Sequence, residues 1–195
     1  MTDSNILARR RRVLGASLLF YDEPLTFVRG EGVLYSDNGR RYLDCYNNVP
    51  CVGHCNPRVV EAMARQASVL NVHSRYVSDV VVEYAERLLA TFETKFDQVM
   101  FTCSGSEAND QALRIARTLG RGRGIICTNL AYHGNTAAVA EVSPLFHHAR
   151  QHFTEVRTIS FPDSYRPLRG LSGNALVQAY TDELQSAIDS FDEAG

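Results

Sequence analysis

Ser104-Gly105-Ser106 is where this sequence is best equipped for chemistry. An apolar run, Gln98 to Cys103, stops there, and a helical pattern opens from about Ser106 to Leu119. The first amides of a helix have no partners inside it and point outward. A glycine lets an oxygen approach the backbone, and serine hydroxyls add donors. Such a strand-to-helix turn can hold a phosphate without a nearby cation. The same letters also suit a plain serine N-cap with no ligand. On the local pattern alone both readings stand.

A second loop bears on the choice. Ile125 to Thr128 is a short buried strand followed by Ala131-Tyr132-His133-Gly134-Asn135. Neighbouring parallel strands release their loops at one sheet edge, where α/β proteins bind ligands. An aromatic plate beside a phosphate cradle calls for a flat, phosphorylated, heteroaromatic cofactor. That inference needs the two loops to be adjacent. Two other phosphate cradles are excluded. A P-loop needs a lysine after its last glycine, and none stands near Gly105. Gly120-x-Gly122-x-Gly124 follows a helix and precedes a strand, the reverse of the dinucleotide fingerprint, and is a helix-ending turn.

The elements that must carry these loops are legible in outline. Residues 1 to 20 read as an irregular or helical arm. Residues 25 to 44 alternate like two or three short strands around an Asp37-Asn38-Gly39 turn. Asn56-Pro57 opens a helix running from Arg58 to Val69, and Val77 to Phe92 forms a second. The run Gln98 to Cys103, the helix after it and Ile125 to Thr128 make a β-α-β unit whose strands should be parallel. The central helix should bury Ala108, Ala112, Ile115, Ala116 and Leu119. A short helix near Thr136 to Val142 and a strand over Val156 to Phe161 come next. A last helix over Ala175 to Phe191 carries Leu176, Tyr180, Leu184 and Ile188 as a core-facing stripe. The fold class is α/β. The expected division is an N-terminal segment over 1–75 and an incomplete ligand-binding large domain over 76–195.

Composition narrows the function classes. With 195 residues, a net charge of −2 and ordinary hydrophobic content, the chain gives no reason to expect nucleic acid or an anionic membrane as partner. No run approaches transmembrane length. Arg9 to Arg12 faintly resemble a twin-arginine signal, but Asp22-Glu23-Pro24 closes the apolar stretch without a cleavage site, so a solvated first turn of an N-terminal helix is the preferred reading. Five cysteines, an odd number in a chain that is not small, argue for reduced thiols and a cytoplasmic home. Cys51, His54 and Cys55 match no common zinc spacing, and His147, His148 and His152 lack an evident third ligand.

Four segments in order, YLDCYNNVPCVGHCNPRVVEAM, SRYVSDVVVEYAERL, FTCSGSEANDQALRIAR and AYHGNT, resemble class III aminotransferases, which are fold-type I pyridoxal-phosphate enzymes. The first and third look most like the branch that contains ethanolamine-phosphate phospho-lyases. The resemblance runs from about residue 25 to 162. It implies that Gly105 and Ser106, with Ser104 beside them, hold the phosphate of pyridoxal 5′-phosphate. Tyr132 would stack on its ring with His133 packed nearby, and Gly53-His54 would lie toward the entrance. It further implies a homodimer, a small-molecule amino donor and a keto-acid acceptor.

One departure limits what the chain can do. The family's Schiff-base lysine and the aspartate that pairs with the pyridine nitrogen fall beyond the matched region. The one lysine here is Lys95, before the apolar run, and neither Asp182-Glu183 nor Asp192-Glu193 sits in a strand pattern. The chemistry needs that amine and that carboxylate. No catalytic residue is therefore assigned, and the expectation is the N-terminal portion of a longer aminotransferase. A phospho-lyase acting on an amino-alcohol phosphate such as phosphoethanolamine is the alternative enzyme. A non-catalytic binding protein is the alternative outside enzymology.

Overall fold

A tight turn at Asp37-Asn38-Gly39 folds the first sheet. Gly39 takes φ +80°, a conformation that costs little without a Cβ. The Ser36 hydroxyl donates to Asn38 Oδ1 at 2.7 Å, and the Ser36 amide donates to the Arg40 carbonyl at 2.9 Å. The result, in a computed structural model, is an antiparallel sheet of β1 (Phe27–Glu31), β2 (Val33–Ser36) and β3 (Arg41–Tyr42), in that order. The structure describes residues 4–15, 19, 21, 23–46, 51–120, 122–146 and 153–192.

The chain divides into two units, Met1–Val81 and Val82–Gly195, with the division inside a helix. The first unit opens with α1 (Ser4–Leu14). Arg11 and Arg12 lie in its last turn rather than its first, where cations complement the helix dipole. After the sheet comes α2 (Pro57–Val69). Asn56 caps it by accepting the Arg58 amide at 3.1 Å, and Pro57 fills the first helical position. The division falls within the next helix, α3 (Asp79–Leu89).

The second unit holds α4 (Gly105–Leu119), β4 (Ile125–Thr128), α5 (Ala137–Glu141), β5 (Val156–Ile159) and α6 (Gly173–Asp192). Strands β4 and β5 pair in parallel, with Cys127 opposite Thr158. Val139 is fully buried, and with Cys127 and Val142 it forms a small core that Leu113, Ile125 and Val156 close. Helix α6 packs on β5 through buried Ala179 and Ala187. Its Glu183 accepts the Ser160 amide at 2.8 Å, and Arg157 donates to Ser190 at 2.7 Å while its guanidinium lies 4.3 Å over Phe191. Asp182-Glu183 is thus helical, in agreement with its pattern.

Three expectations fail here. The Gln98–Cys103 run is not a strand, and the parallel pair is β4–β5 instead. An apolar pattern states a preference for a sheet face, but only a neighbouring backbone supplies the ladder. No such neighbour exists for this run among the described residues. Phe101 stacks instead on Tyr84 of α3, with ring centroids 5.4 Å apart. The face of α4 chosen for burial is the exposed one, with Ile115 50% and Leu119 81% accessible. Ser106, Asn109, Leu113 and Arg117 form the half-buried face. On α6, Leu176 and Tyr180 are partly covered, but Leu184 and Ile188 are exposed and Ala179, Glu183 and Ala187 make the contact. A stripe reports which face avoids water, not what covers it.

No described helix is long and apolar enough to cross a membrane. Replacing Val139 by Ala removes methyl groups from the most fully enclosed apolar site among the described residues and should lower unfolding free energy by about 1.5–3 kcal/mol. Chemical denaturation of the Val139→Ala variant measures this. A loss well under that range shows that the Cys127–Val139–Val142 cluster is not a cohesive core.

Candidate functional site

Helix α4 begins with its amides divided between two uses. Ser104 is the N-cap, in extended geometry at φ −155° and ψ 159°, and its hydroxyl accepts the Glu107 amide at 3.2 Å. Glu107 reaches back, and its Oε2 accepts the Cys103 amide at 2.8 Å. This is a reciprocal cap. It leaves the amides of Gly105 and Ser106 at the helix tip with no acceptor inside the helix. A Cβ placed on Gly105 would meet nothing within 4 Å. Of the two readings open on the sequence, the structure shows the Ser104 N-cap.

The loop after β4 docks directly on this tip. Gly134 has φ +141°, and a Cβ there would come within 2.5 Å of Ser106 Oγ and 2.8 Å of Ser106 Cα. Only glycine fits. The Ser106 hydroxyl donates to Asn135 Oδ1 at 3.2 Å and accepts the Asn135 amide at 3.2 Å. One turn along α4, Asn109 donates from Nδ2 to the His133 carbonyl at 2.7 Å. From the far side, the Ser143 hydroxyl accepts the His133 amide at 3.0 Å. Tyr132, one residue earlier, is half exposed.

The structure therefore brings Ser106 together with the His133–Asn135 segment, and with it the Tyr132 loop. It does so through helix-to-loop contacts, not through adjacent strands. Ser106 donates its hydroxyl proton to Asn135, whereas the Ser104 hydroxyl accepts the Glu107 amide. Asn109, Asn135 and Ser143 were not singled out in the sequence. Asn109 could have been, because it stands three residues after Ser106 on the same helix face. Nothing local marks Ser143. Lys95 lies in the turn after α3, where its ammonium pairs with Glu93 at 2.8 Å.

Gly53 and His54 belong to the first unit. Gly53 takes φ +86° and packs against Gly32, where a Cβ would approach Cα to 2.9 Å. His54 pairs with Gly32 through both backbone groups, at 2.8 and 3.1 Å, and its Nε2 lies 2.9 Å from Asp44 Oδ2. The Tyr46 amide, donating to Asp44 Oδ1 at 3.0 Å, and then His54 hold the Asp44 carboxyl below its ordinary range. The five cysteines are free, and burial raises the Cys127 thiol pKa. Among the described residues no group of three or more His, Cys, Asp or Glu could hold a metal ion. His147, His148 and His152 lie outside the described residues.

The second unit thus combines a helix N-terminus, a loop docked on it through Ser106 and a parallel strand pair, the elements of an α/β architecture. The chain belongs to the class-III aminotransferase family, whose model matches residues 21–190. It is 42% identical to the alanine–glyoxylate aminotransferase 2-like protein of Drosophila melanogaster over 141 residues, 71% of this chain and 28% of that one. It is 35% identical to ethanolamine-phosphate phospho-lyase homolog 1 of Caenorhabditis elegans, covering 94% of this chain and 42% of the relative. Among solved structures it resembles a phospholyase from Arthrobacter in complex with phosphoethanolamine, with TM-score 0.87 and 40% identity over 97% of this chain and 45% of that one. The chain spans less than half the length of these relatives. Its fold is part of a fold-type I transferase, and its cofactor is pyridoxal phosphate.

Gly134→Ala should lower the urea unfolding midpoint by the equivalent of roughly 1–3 kcal/mol, through strain and overpacking against Ser106. Pyridoxal-phosphate titration of the same variant should show weakened binding. An unchanged midpoint sinks the docking described. The Asp44 pair predicts a pH dependence. Its folded-state pKa is depressed, so its contribution is fully present above the ordinary value of about 3.9 and is lost as pH falls through the lower folded value. The stability gap between wild type and Asp44→Asn should therefore shrink below about pH 4. A gap that stays constant down to strongly acid pH contradicts the pairing.

Proposed function

We propose that this chain is the cofactor-phosphate-binding portion of a pyridoxal-phosphate enzyme that transfers an amino group from a small-molecule donor to a keto acid. The observation that carries it is the seating of Gly134 on Ser106, which sets the Tyr132 loop beside the open tip of α4. The residues fit the group. Gly105 and Ser106 turn two amides and the positive end of a 15-residue helix toward a phosphate. Gly105 brings no side chain to the tip, and the position a Cβ would take there is empty within 4 Å. Tyr132 offers a flat face to the ring, and His133 is held next to it.

When bound, the cofactor supplies the electron sink that stabilises the carbon left after the substrate's α-proton departs. This chain's residues bind and orient; they do not move the proton. That task requires an amine base, and Lys95, paired with Glu93 on an exposed turn, is not assigned to it. The functional unit in this reading is a cytoplasmic homodimer. Four exposed free cysteines suit a reducing compartment, and Val69 and Leu119, each 81% accessible, suit surfaces that a partner covers.

A second reading has its own support. The likeness to the Arthrobacter phospholyase extends over 97% of the chain. A phospho-lyase removes the same α-proton and then expels phosphate instead of passing on the amine. The test is product analysis on the full-length protein. Amino transfer to pyruvate is the expected result. Inorganic phosphate released from phosphoethanolamine overturns it in favour of the lyase. Neither product, from protein that binds pyridoxal phosphate, leaves a binding protein.

A further inference from the structure

We propose that Ser143 and Asn109 are positioning residues for the Tyr132–His133 segment, fixing its backbone so that the aromatic plate meets the tip of α4 at one height. This rests on the reading of that tip as the pyridoxal-phosphate cradle. Tyr132 to Asn135 belongs to no helix or strand, so no ladder holds its peptides. A loop peptide in that position has to find its partners elsewhere or face water.

Side chains take over. The His133 carbonyl accepts from Asn109 Nδ2 at 2.7 Å, and the His133 amide donates to Ser143 Oγ at 3.0 Å. Both backbone groups of one residue are thus held by side chains from two different places: the first turns of α4, and the stretch just past α5. The peptide that joins Tyr132 to His133 is the one carrying the amide that Ser143 accepts. Its plane is set, and the orientation of Tyr132 follows.

Ser143 is built for the task. It is 2% exposed, and its single proton is shared between the Val139 carbonyl at 2.8 Å and the Gly134 carbonyl at 3.2 Å. Accepting from His133 and donating to Gly134, it grips two consecutive residues of the loop. Its own position is tied to α5 through Val139, the most deeply buried residue of the small core. Asn109 sits one turn from Ser106, so the helix that offers the phosphate amides also anchors the platform. Cradle and platform are thereby referred to the same rigid element. A buried serine after a helix is more ordinarily a satisfied hydroxyl with no reach beyond local stability, and the test must separate the two roles.

The experiment uses the full-length holoenzyme, with Ser143→Ala, Asn109→Ala, Tyr132→Ala and the doubles of each of the first two with Tyr132→Ala. The readouts are the pyridoxal-phosphate dissociation constant, the circular dichroism of the bound cofactor and the thermal midpoint of the cofactor-free protein. Ser143→Ala and Asn109→Ala should each weaken binding about three- to tenfold, on the scale of one lost hydrogen bond, and should diminish the cofactor's dichroic band. In the Tyr132→Ala background the same changes should alter binding by less than about twofold, because the group they orient is gone. Effects that simply add in that background show a general structural role and overturn the proposal, as does an unchanged dissociation constant and band. If Ser143→Ala does not fold, Asn109→Ala decides alone, since alanine is well tolerated in a helix. Wild-type protein that binds no pyridoxal phosphate overturns the cradle itself, a result distinct from a variant that binds normally.

Discussion

The approach of Gly134 to Ser106 governs the site. A Cβ at 134 would fall 2.5 Å from the serine hydroxyl and 2.8 Å from its Cα, so the loop backbone touches the helix with no side chain between. That closeness lets Ser106 and Asn135 exchange two hydrogen bonds across 29 residues of sequence. It also forces the loop past the first turn of α4 instead of along its side. Asn109 adds a further contact from α4 at His133, while Ser143 holds the loop from its own segment.

The helix tip shows how a cap divides its donors. Ser104 and Glu107 satisfy the amides of Glu107 and Cys103. The intervening amides of Gly105 and Ser106 have no acceptor inside the helix, and the proposed function uses them for an anion. A carboxylate beside an anion site is a liability by charge alone, but it also complements the helix dipole. Here Glu107 is turned back onto Cys103, so its carboxylate is stabilised by a backbone donor on the N-terminal side of the cap. The cap thereby keeps a stabilising carboxylate without placing it in front of Gly105.

What could be read from the sequence follows the reach of the signal. Asn56-Pro57 starts a helix and Asp37-Asn38-Gly39 makes a turn because each acts on its own backbone within a few residues. The N-cap at Ser104 was legible for the same reason, and the short strands at Ile125–Thr128 and Val156–Ile159 were legible as apolar runs. The Gln98–Cys103 strand and the buried faces of α4 and α6 were not, because each depends on a neighbour. Ile115, Leu119, Leu184 and Ile188 have the right spacing for a core and remain exposed. Small polar residues did the packing in their place: Ser106, Asn109 and Glu183 lie on the faces that make contact. Ser143 was invisible because a lone serine after a short helix carries no pattern at all.

The span of the contacts explains why the ligand was easier to infer than the reaction. Every hydrogen bond named at the α4 tip and its docked loop joins residues between Cys103 and Ser143, with separations of 3 to 29. One α-β-α stretch therefore builds the proposed phosphate grip from its own backbone and a few short side chains. Proton transfer has no such local origin. It needs an amine with access to the substrate, and the chain's lysine is committed to Glu93 after α3. The relatives that share this fold include both an aminotransferase 2-like protein and a phospho-lyase homolog. The shared grip on the cofactor can stay fixed while the groups that decide the fate of the amine vary elsewhere.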